Sequence, residues 1–205
     1  MPSAIIAAKA LPAQERRASI VASVVELAAT RNPAEISTTA IAQQLGLTQG
    51  ALFKHFASKD ALLVAVIEWV EQTLNDRLDA AELNAESPLQ ALERVFHAHV
   101  QFVTEFPGAP RIVFSELQRG GGSLPRQAVR TLQARYGGRI RRLLTAAQAQ
   151  QQLAVDLDVG AATTLFVGSI QGLVVQALLQ DDFSHPARQA TGLFALYRAA
   201  VEGNR

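Results

Sequence analysis

The sequence predicts an all-α chain of about nine helices, a three-helix N-terminal unit followed by a larger helical domain. Stretches that alternate polar and apolar residues, the mark of half-buried strands, are absent. Ala, Leu, Gln, Glu and Arg dominate, and each is a good helix former. Apolar positions recur at helical spacing, and Pro, Gly, Ser and Asn punctuate the runs between them.

The first helix is expected over residues 13–31, with Ile20, Val24, Leu27 and Ala28 on one face. Asn32-Pro33 ends it, because Asn tolerates the left-handed conformation and Pro cannot continue a helix. Ser37 or Thr38 caps a short helix over 38–45, which Gly46 closes. A third short helix runs from 48 or 49 to 56, and Ser58 caps a long fourth over 59–83. Ser87-Pro88-Leu89-Gln90 carries a capping-box signature and opens a fifth helix, which stops before Phe106-Pro107-Gly108. Four more are expected over 110–119, 125–151, 159–180 and 186–202, the first of them broken by Gly120-Gly121-Gly122. The implied domains are 13–58, with a helix-turn-helix at 37–56, and 59–205.

At 49% hydrophobic and 18% charged, the 205-residue chain lies in the globular range. The absence of cysteine excludes disulfides, thiolate zinc sites and iron–sulfur sensing. The apolar stretch at 4–8 is short, and its charges follow it, so it makes a poor export signal. The run at 161–179 holds Thr163, Thr164, Ser169, Gln171 and Gln176, which suits a buried core helix better than a lipid span. A cytoplasmic protein is expected. Net charge is only +1, and residues 1–60 carry six Lys/Arg against four acids, so bulk charge gives little support for nucleic-acid binding.

Local pattern gives more. In residues 37–63, Ile41 and Ala42 form the inward face of one short helix and Leu52 and Phe56 that of the next. Leu47 plugs the corner after Gly46. The second helix then exposes Thr48, Gln49, Ala51, Lys54 and His55. Small residues at its start allow close approach to a major groove, and Gln and Lys are donors able to reach base edges. Thr38, Thr39, Thr48 and the helix start at Lys59 offer hydroxyls and backbone N–H groups suited to phosphate oxygens.

This segment closely resembles the TetR family of bacterial transcriptional regulators. The resemblance rests on Ser37, Thr38, Ile41, Ala42, Gly46, Thr48, Gly50 and Leu52, then Phe53, His55, Phe56, Ser58, Lys59 and Leu62, and covers about residues 14–74. It implies DNA contacts from Ser37, Thr38, Thr39, Thr48, Gln49 and Gly50, and from Ala51, Phe53, Lys54, His55 and Lys59. The chain departs from the family pattern at Phe53, where the usual Tyr hydroxyl is missing, and at Asn32, Pro33 and Ile36. The resemblance further implies a homodimer built from the last two helices, here around Gly168, Gly172, Val175, Phe194 and Tyr197. It also implies a repressor released from a palindromic operator by a small molecule, with control of an efflux or transporter operon a common assignment.

Trp69, Phe102, Phe114 and Phe166, with His99 or Gln171 as a polar anchor, are the expected lining of an apolar effector pocket, although each aromatic alone reads first as core. Phe96 belongs to the same group of core aromatics. His97 and His99 point to different faces and make a poor metal pair. The series Arg126, Arg130, Arg135, Arg139, Arg141 and Arg142 reads first as a solvated helix face, with an anionic ligand or second DNA contact as the alternative. Gly168 and Gly172 permit a close helix approach, within the chain or across a dimer. No catalytic triad, carboxylate pair or metal-ligand spacing is visible, so no catalytic residue, metal or cofactor is expected. A helical partner-binding module without DNA contact and a ligand-dependent activator are the rival readings.

Overall fold

The computed structural model describes residues 12–83 and 85–203. The apolar stretch at 4–8 lies outside them. The described helices are α1 (Ala13–Thr30), α2 (Thr38–Gln44), α3 (Gln49–Phe53), α4 (Lys59–Leu83), α5 (Pro88–Glu105), α6 (Gly108–Gln118), α7 (Leu124–Ala149), α8 (Val159–Gln180) and α9 (His185–Glu202). One 3₁₀ turn, Pro33–Glu35, separates α1 from α2. No strand occurs among the described residues.

The chain ends of these helices follow the expected caps in most places. Ser37, Thr48 and Ser58 each accept a backbone N–H three residues on, at 3.1, 3.1 and 3.0 Å. Ser87 Oγ accepts the Gln90 N–H at 3.2 Å, while Gln90 Oε1 reaches back past the cap to the N–H of Glu86 at 2.6 Å. Gly46 takes φ +63°, which an L side chain adopts only with strain.

Asn32 departs from expectation. Its φ is −62°, outside the left-handed region, and its side chain accepts the Ala34 N–H and so caps the 3₁₀ turn. α3 ends three residues earlier than expected, because the chain tightens there: the His55 N–H bonds the Leu52 carbonyl. α6 begins two residues earlier, at Gly108.

Two cores organise the fold. The first gathers Ile20, Val24, Ala28, Ile41, Leu52 and Phe56 with Leu62 and Val66 of α4, and it also takes in Ile112 of α6. The second runs from Ile67, Leu74 and Leu78 of α4 through the inward faces of α5, α7, α8 and α9. α4 therefore serves both cores. α6 is the other bridge, since Ala109 and Val113 belong to the second core. Its first residue lies so close to α1 that a Cβ on Gly108 would sit 1.9 Å from the Val25 carbonyl oxygen.

The Arg series on α7 divides: Arg130, Arg135, Arg141 and Arg142 are exposed, as a solvated face requires, whereas Arg126 and Arg139 are partly buried. Arg135 pairs with Glu71 at 2.9 Å, and Arg139 with Asp79 and Glu82 at 2.6 and 2.5 Å, all on α4. Arg126 donates to the Arg119 and Gly121 carbonyls. α8 has the length and apolar composition to cross a bilayer. One of its faces, with Phe166, Ile170, Leu173 and Ala177, is nonetheless buried in the second core. The opposite face is exposed, so α8 is half-buried where the sequence suggested a core helix.

Candidate nucleic-acid interface and effector cavity

The surface around α2 and α3 is built by what those helices bury. Ile41, Ala42, Leu52 and Phe56 face the first core. Helical geometry then turns Thr39 from α2, Gln49 and Gly50 from α3, and the α3 caps Thr48 and Lys54, to solvent. Phe53 is 41% exposed on the same surface. Ser37 is also exposed, while Thr38, Ala51, His55 and Lys59 are half-buried at the edge of the same surface.

Gln49 Nε2 donates to Thr38 Oγ1 at 2.8 Å, tying the start of α3 to the start of α2. This bond holds the Gln49 side chain across the face. The Ser37 and Thr48 oxygens are engaged as caps, yet each hydroxyl keeps its proton to donate to an anion such as a phosphate. Sequence reasoning did not single out Arg17. Its guanidinium donates to the His55 carbonyl and lies 4.2 Å over the Phe56 ring, clamping the end of α3 to α1. Nothing in its local sequence separates it from Arg16, because the partners are 38 residues away.

A cavity of about 70 Å³ lies among α4 to α8. His99, Phe102, Phe114 and Gln171 line it, together with Val70, Leu74 and Tyr136. Two expected lining residues lie elsewhere. Trp69 packs edge-on against Phe106 at 5.2 Å and also touches the first core. Phe166 is fully buried between Phe96 and Tyr197, at 5.4 and 5.3 Å. Both turn away because adjacent helix positions, Val70 and Val167, already face the cavity.

The polar feature of the cavity is His99 Nδ1 hydrogen-bonded to Tyr136 Oη across 2.8 Å. Burial pushes the His99 pKa down to about 4 and the Tyr136 phenol well above its ordinary range, so the pair is neutral near pH 7. At about 70 Å³ the cavity is far below the roughly 300–1,000 Å³ of drug-sized pockets. A larger occupant requires the surrounding helices to part.

The residues expected at a dimer surface divide. Gly168, Gly172 and Val175 are exposed on the outer face of α8, and a Cβ at either glycine would meet nothing within 4 Å. The close approach they permit is therefore not to another described helix of the same chain. Phe194 and Tyr197 instead point inward at 2% exposure each, packed on Phe96 and Phe166, with the Tyr197 hydroxyl donating to the Ala162 carbonyl at 3.1 Å. The inward stripe of α9 recurs every three or four residues, and both aromatics lie on it. The exposed large apolar residues on these two helices are Leu165, Val175, Leu179 and Leu196.

A helix-turn-helix with an exposed polar α3, joined through α4 and α6 to a helical bundle with an apolar cavity, is the architecture of a helical DNA-binding regulator. Comparison with known proteins agrees. The family profile of bacterial regulatory proteins of the tetR family matches residues 20–66, and that of the tetracyclin repressor-like C-terminal domain matches 115–193. The nucleoid occlusion factor SlmA of Marinomonas sp. is 22% identical over 160 residues, 78% of this chain and 81% of that protein. That of Aliivibrio fischeri is 22% identical over 188 residues, covering 91% and 96%.

Among solved structures, the fatty acid degradation regulator FadR of Bacillus halodurans superposes with a TM-score of 0.82 at 15% identity, covering 96% of this chain and 100% of that one. FadR of Bacillus subtilis in complex with stearoyl-CoA gives 0.76 at 18%, covering 90% and 98%. These likenesses establish the fold. The chain belongs to the TetR family of DNA-binding transcriptional regulators.

Proposed function

We propose that the protein is a dimeric, cytoplasmic repressor that leaves a palindromic operator when a small, mostly apolar effector enters the cavity among α4 to α8. The observation that carries the DNA half of this reading is the exposure of Gln49, Gly50, Phe53 and Lys54 on a helix whose Leu52 is fully buried. Gln49 and Lys54 then read base edges, and Phe53 makes an apolar contact. Ser37, Thr38, Thr39, Thr48, His55 and Lys59 hold the phosphates, and Gly50 and Ala51 allow the backbone close to the groove.

The effector half is supported by the cavity and by α6, which contributes to the cavity wall and, through Ile112, to the core under the helix-turn-helix. Expansion of so small a cavity would displace α6 and α4, and with them the separation of two α3 helices in a dimer. A ligand shifts this equilibrium only by its differential affinity for the two states. A preference of ~100-fold corresponds to about 2.7 kcal/mol of coupling. The complex of one structural neighbour with stearoyl-CoA makes long-chain acyl compounds the first to screen. An efflux or transporter operon is the proposed target.

The test is in vitro selection of binding sites from genomic fragments, followed by titration of the selected site. Lys54→Ala and Gln49→Ala should lower specific affinity. Lys59→Ala should weaken binding to all sequences and reduce the salt slope by about one. Unchanged affinity in all three variants would remove the DNA-binding assignment. The similarity to nucleoid occlusion factors over 91% of the chain favours a second reading, in which the protein serves nucleoid occlusion instead of controlling a gene. Genome-wide occupancy separates the two: a few sites beside operons fit the repressor, many dispersed sites fit the other.

A further inference from the structure

A second concavity lies on the other side of Phe114. This cleft of about 620 Å³ opens between the 3₁₀ turn, the start of α4, α6 and the end of α8, and Phe114 lines both it and the apolar cavity. Its walls differ in chemistry from the cavity. Lys59, Arg111 and Arg119 bring three positive charges to it, and the single acid in the lining is Glu116. Glu116 is buried and paired with Arg119 at 3.0 Å, and Asp60 takes a second contact from Arg119 at 3.1 Å, so that cation is neutralised.

Arg111 and Lys59 are not matched in this way. The Arg111 Nε is buried with no hydrogen-bond partner, its guanidinium lies 5.4 Å from the Phe183 ring centroid, and the carboxylate paired with it, Asp181, stands at 3.8 Å and is 91% exposed. Such a distant, solvated pair is weak. Lys59 has no ion pair among the described residues. Ser115 and Gln118 add neutral donors to the same wall.

We propose that this cleft takes the anionic headgroup, carboxylate or phosphate, of an amphiphilic effector whose chain passes Phe114 into the apolar cavity. Arg111 is the principal headgroup contact and Lys59 the second. The inference rests on the effector reading above and deepens it by naming the ligand class. It also gives the ligand a direct route to DNA affinity, because Lys59 is the proposed phosphate clamp at the start of α4. An ammonium engaged by a headgroup in the cleft is drawn away from the operator backbone.

The probes are octyl phosphate, octanoate and octanol, with inorganic phosphate as the headgroup alone, each titrated calorimetrically against the full-length protein and then against the protein–operator complex. The expected result is that at least one octyl anion binds about tenfold or more tightly than octanol, the strength of a charge-assisted hydrogen bond. Arg111→Gln should abolish that advantage while leaving operator affinity as in the wild type. Arg111→Lys should keep part of it. Asp181→Asn removes the competing carboxylate at a left-handed position that Asn tolerates, and it should enlarge the advantage. Equal affinity for the alcohol and the anions, or an anion advantage that survives Arg111→Gln, overturns the headgroup site and leaves an apolar effector standing. If none of the octyl compounds binds, or those that bind leave operator affinity unchanged, the effector reading fails and this inference fails with it. An advantage shown by octanoate alone, or by octyl phosphate alone, supports the site and identifies its headgroup.

Discussion

His99 carries a proton-linked consequence that can be tested without knowing the effector. Burial lowers its pKa to about 4, from 6.5 in the unfolded chain. As pH falls below 6.5 the unfolded chain takes up the proton first, so stability is intact above that value and is lost between about 6.5 and 4. The loss should reach about 2 kcal/mol by pH 5 and about 3 kcal/mol at pH 4. Urea unfolding at pH 7 and pH 5 measures it, and His99→Gln should flatten the dependence; an equal slope in that variant would place its origin elsewhere. At this scale the sequence was only partly legible. His99, Phe102, Phe114 and Gln171 share helix faces that meet, whereas Trp69 and Phe166 lie one position off the cavity-facing residues Val70 and Val167. A pattern of aromatics names candidates, but the rotation of each helix decides which of them reach the cavity. Arg17 was hidden for a related reason, since its partners are brought to it by packing.

Between helices, the α1–α6 contact is the place where the two cores are pinned together. Gly108 permits it, because any Cβ there would overlap the Val25 carbonyl. Gly108→Ala must move backbone on one helix or the other, and should cost about 1–3 kcal/mol or more. Gly138→Ala provides the contrast: it lies inside α7 with nothing within 4 Å of a Cβ, and should gain about 0.5–1 kcal/mol from lost backbone freedom in the unfolded chain. Chemical denaturation of both variants distinguishes a steric requirement at Gly108 from a general effect of replacing glycine. The helices themselves were legible because their signals are contiguous. α4 and α8 match expectation at both ends, and Ser37, Thr48, Ser58 and Ser87 cap as their positions suggest. Asn32 misled because Asn serves two kinds of cap, and the 3₁₀ turn that claimed it has no periodicity to announce it. Arg135 and Arg139 looked unbalanced because their acids, Glu71, Asp79 and Glu82, lie on α4, 57 to 64 residues away.

The whole molecule presents an apolar surface that a lone protomer leaves in water. Leu165, Val175 and Leu179 on α8 and Leu196 on α9 are between 43% and 74% exposed, and Gly168, Gly172 and Gly192 open gaps between them. Leaving these apolar side chains wet costs about 25 cal/mol per Å². A two-fold partner that covers them also supplies the second α3 a palindromic operator needs, with half-sites about 34 Å, one DNA turn, apart or a multiple of that. Charge on this face should produce monomers, so Val175→Glu and Leu196→Glu should sediment at half the wild-type mass and lose operator affinity. A sharper variant separates interface from fold. Gly172→Leu adds a side chain where the protomer has open space, so the isolated subunit should keep its helicity and unfold no earlier than wild type, with the gain of about 0.5–1 kcal/mol expected for replacing a helix-interior glycine. Across a close helix pair the same side chain is overpacked by about 1–3 kcal/mol, which weakens dimerisation by roughly five- to 150-fold. Sedimentation equilibrium across a dilution series reads the dimer dissociation constant directly. A wild-type protein that is monomeric at micromolar concentration, or a Gly172→Leu variant that dimerises as tightly as wild type, would exclude this face. The second half of any palindrome would then have to be read by a dimer built elsewhere on the molecule.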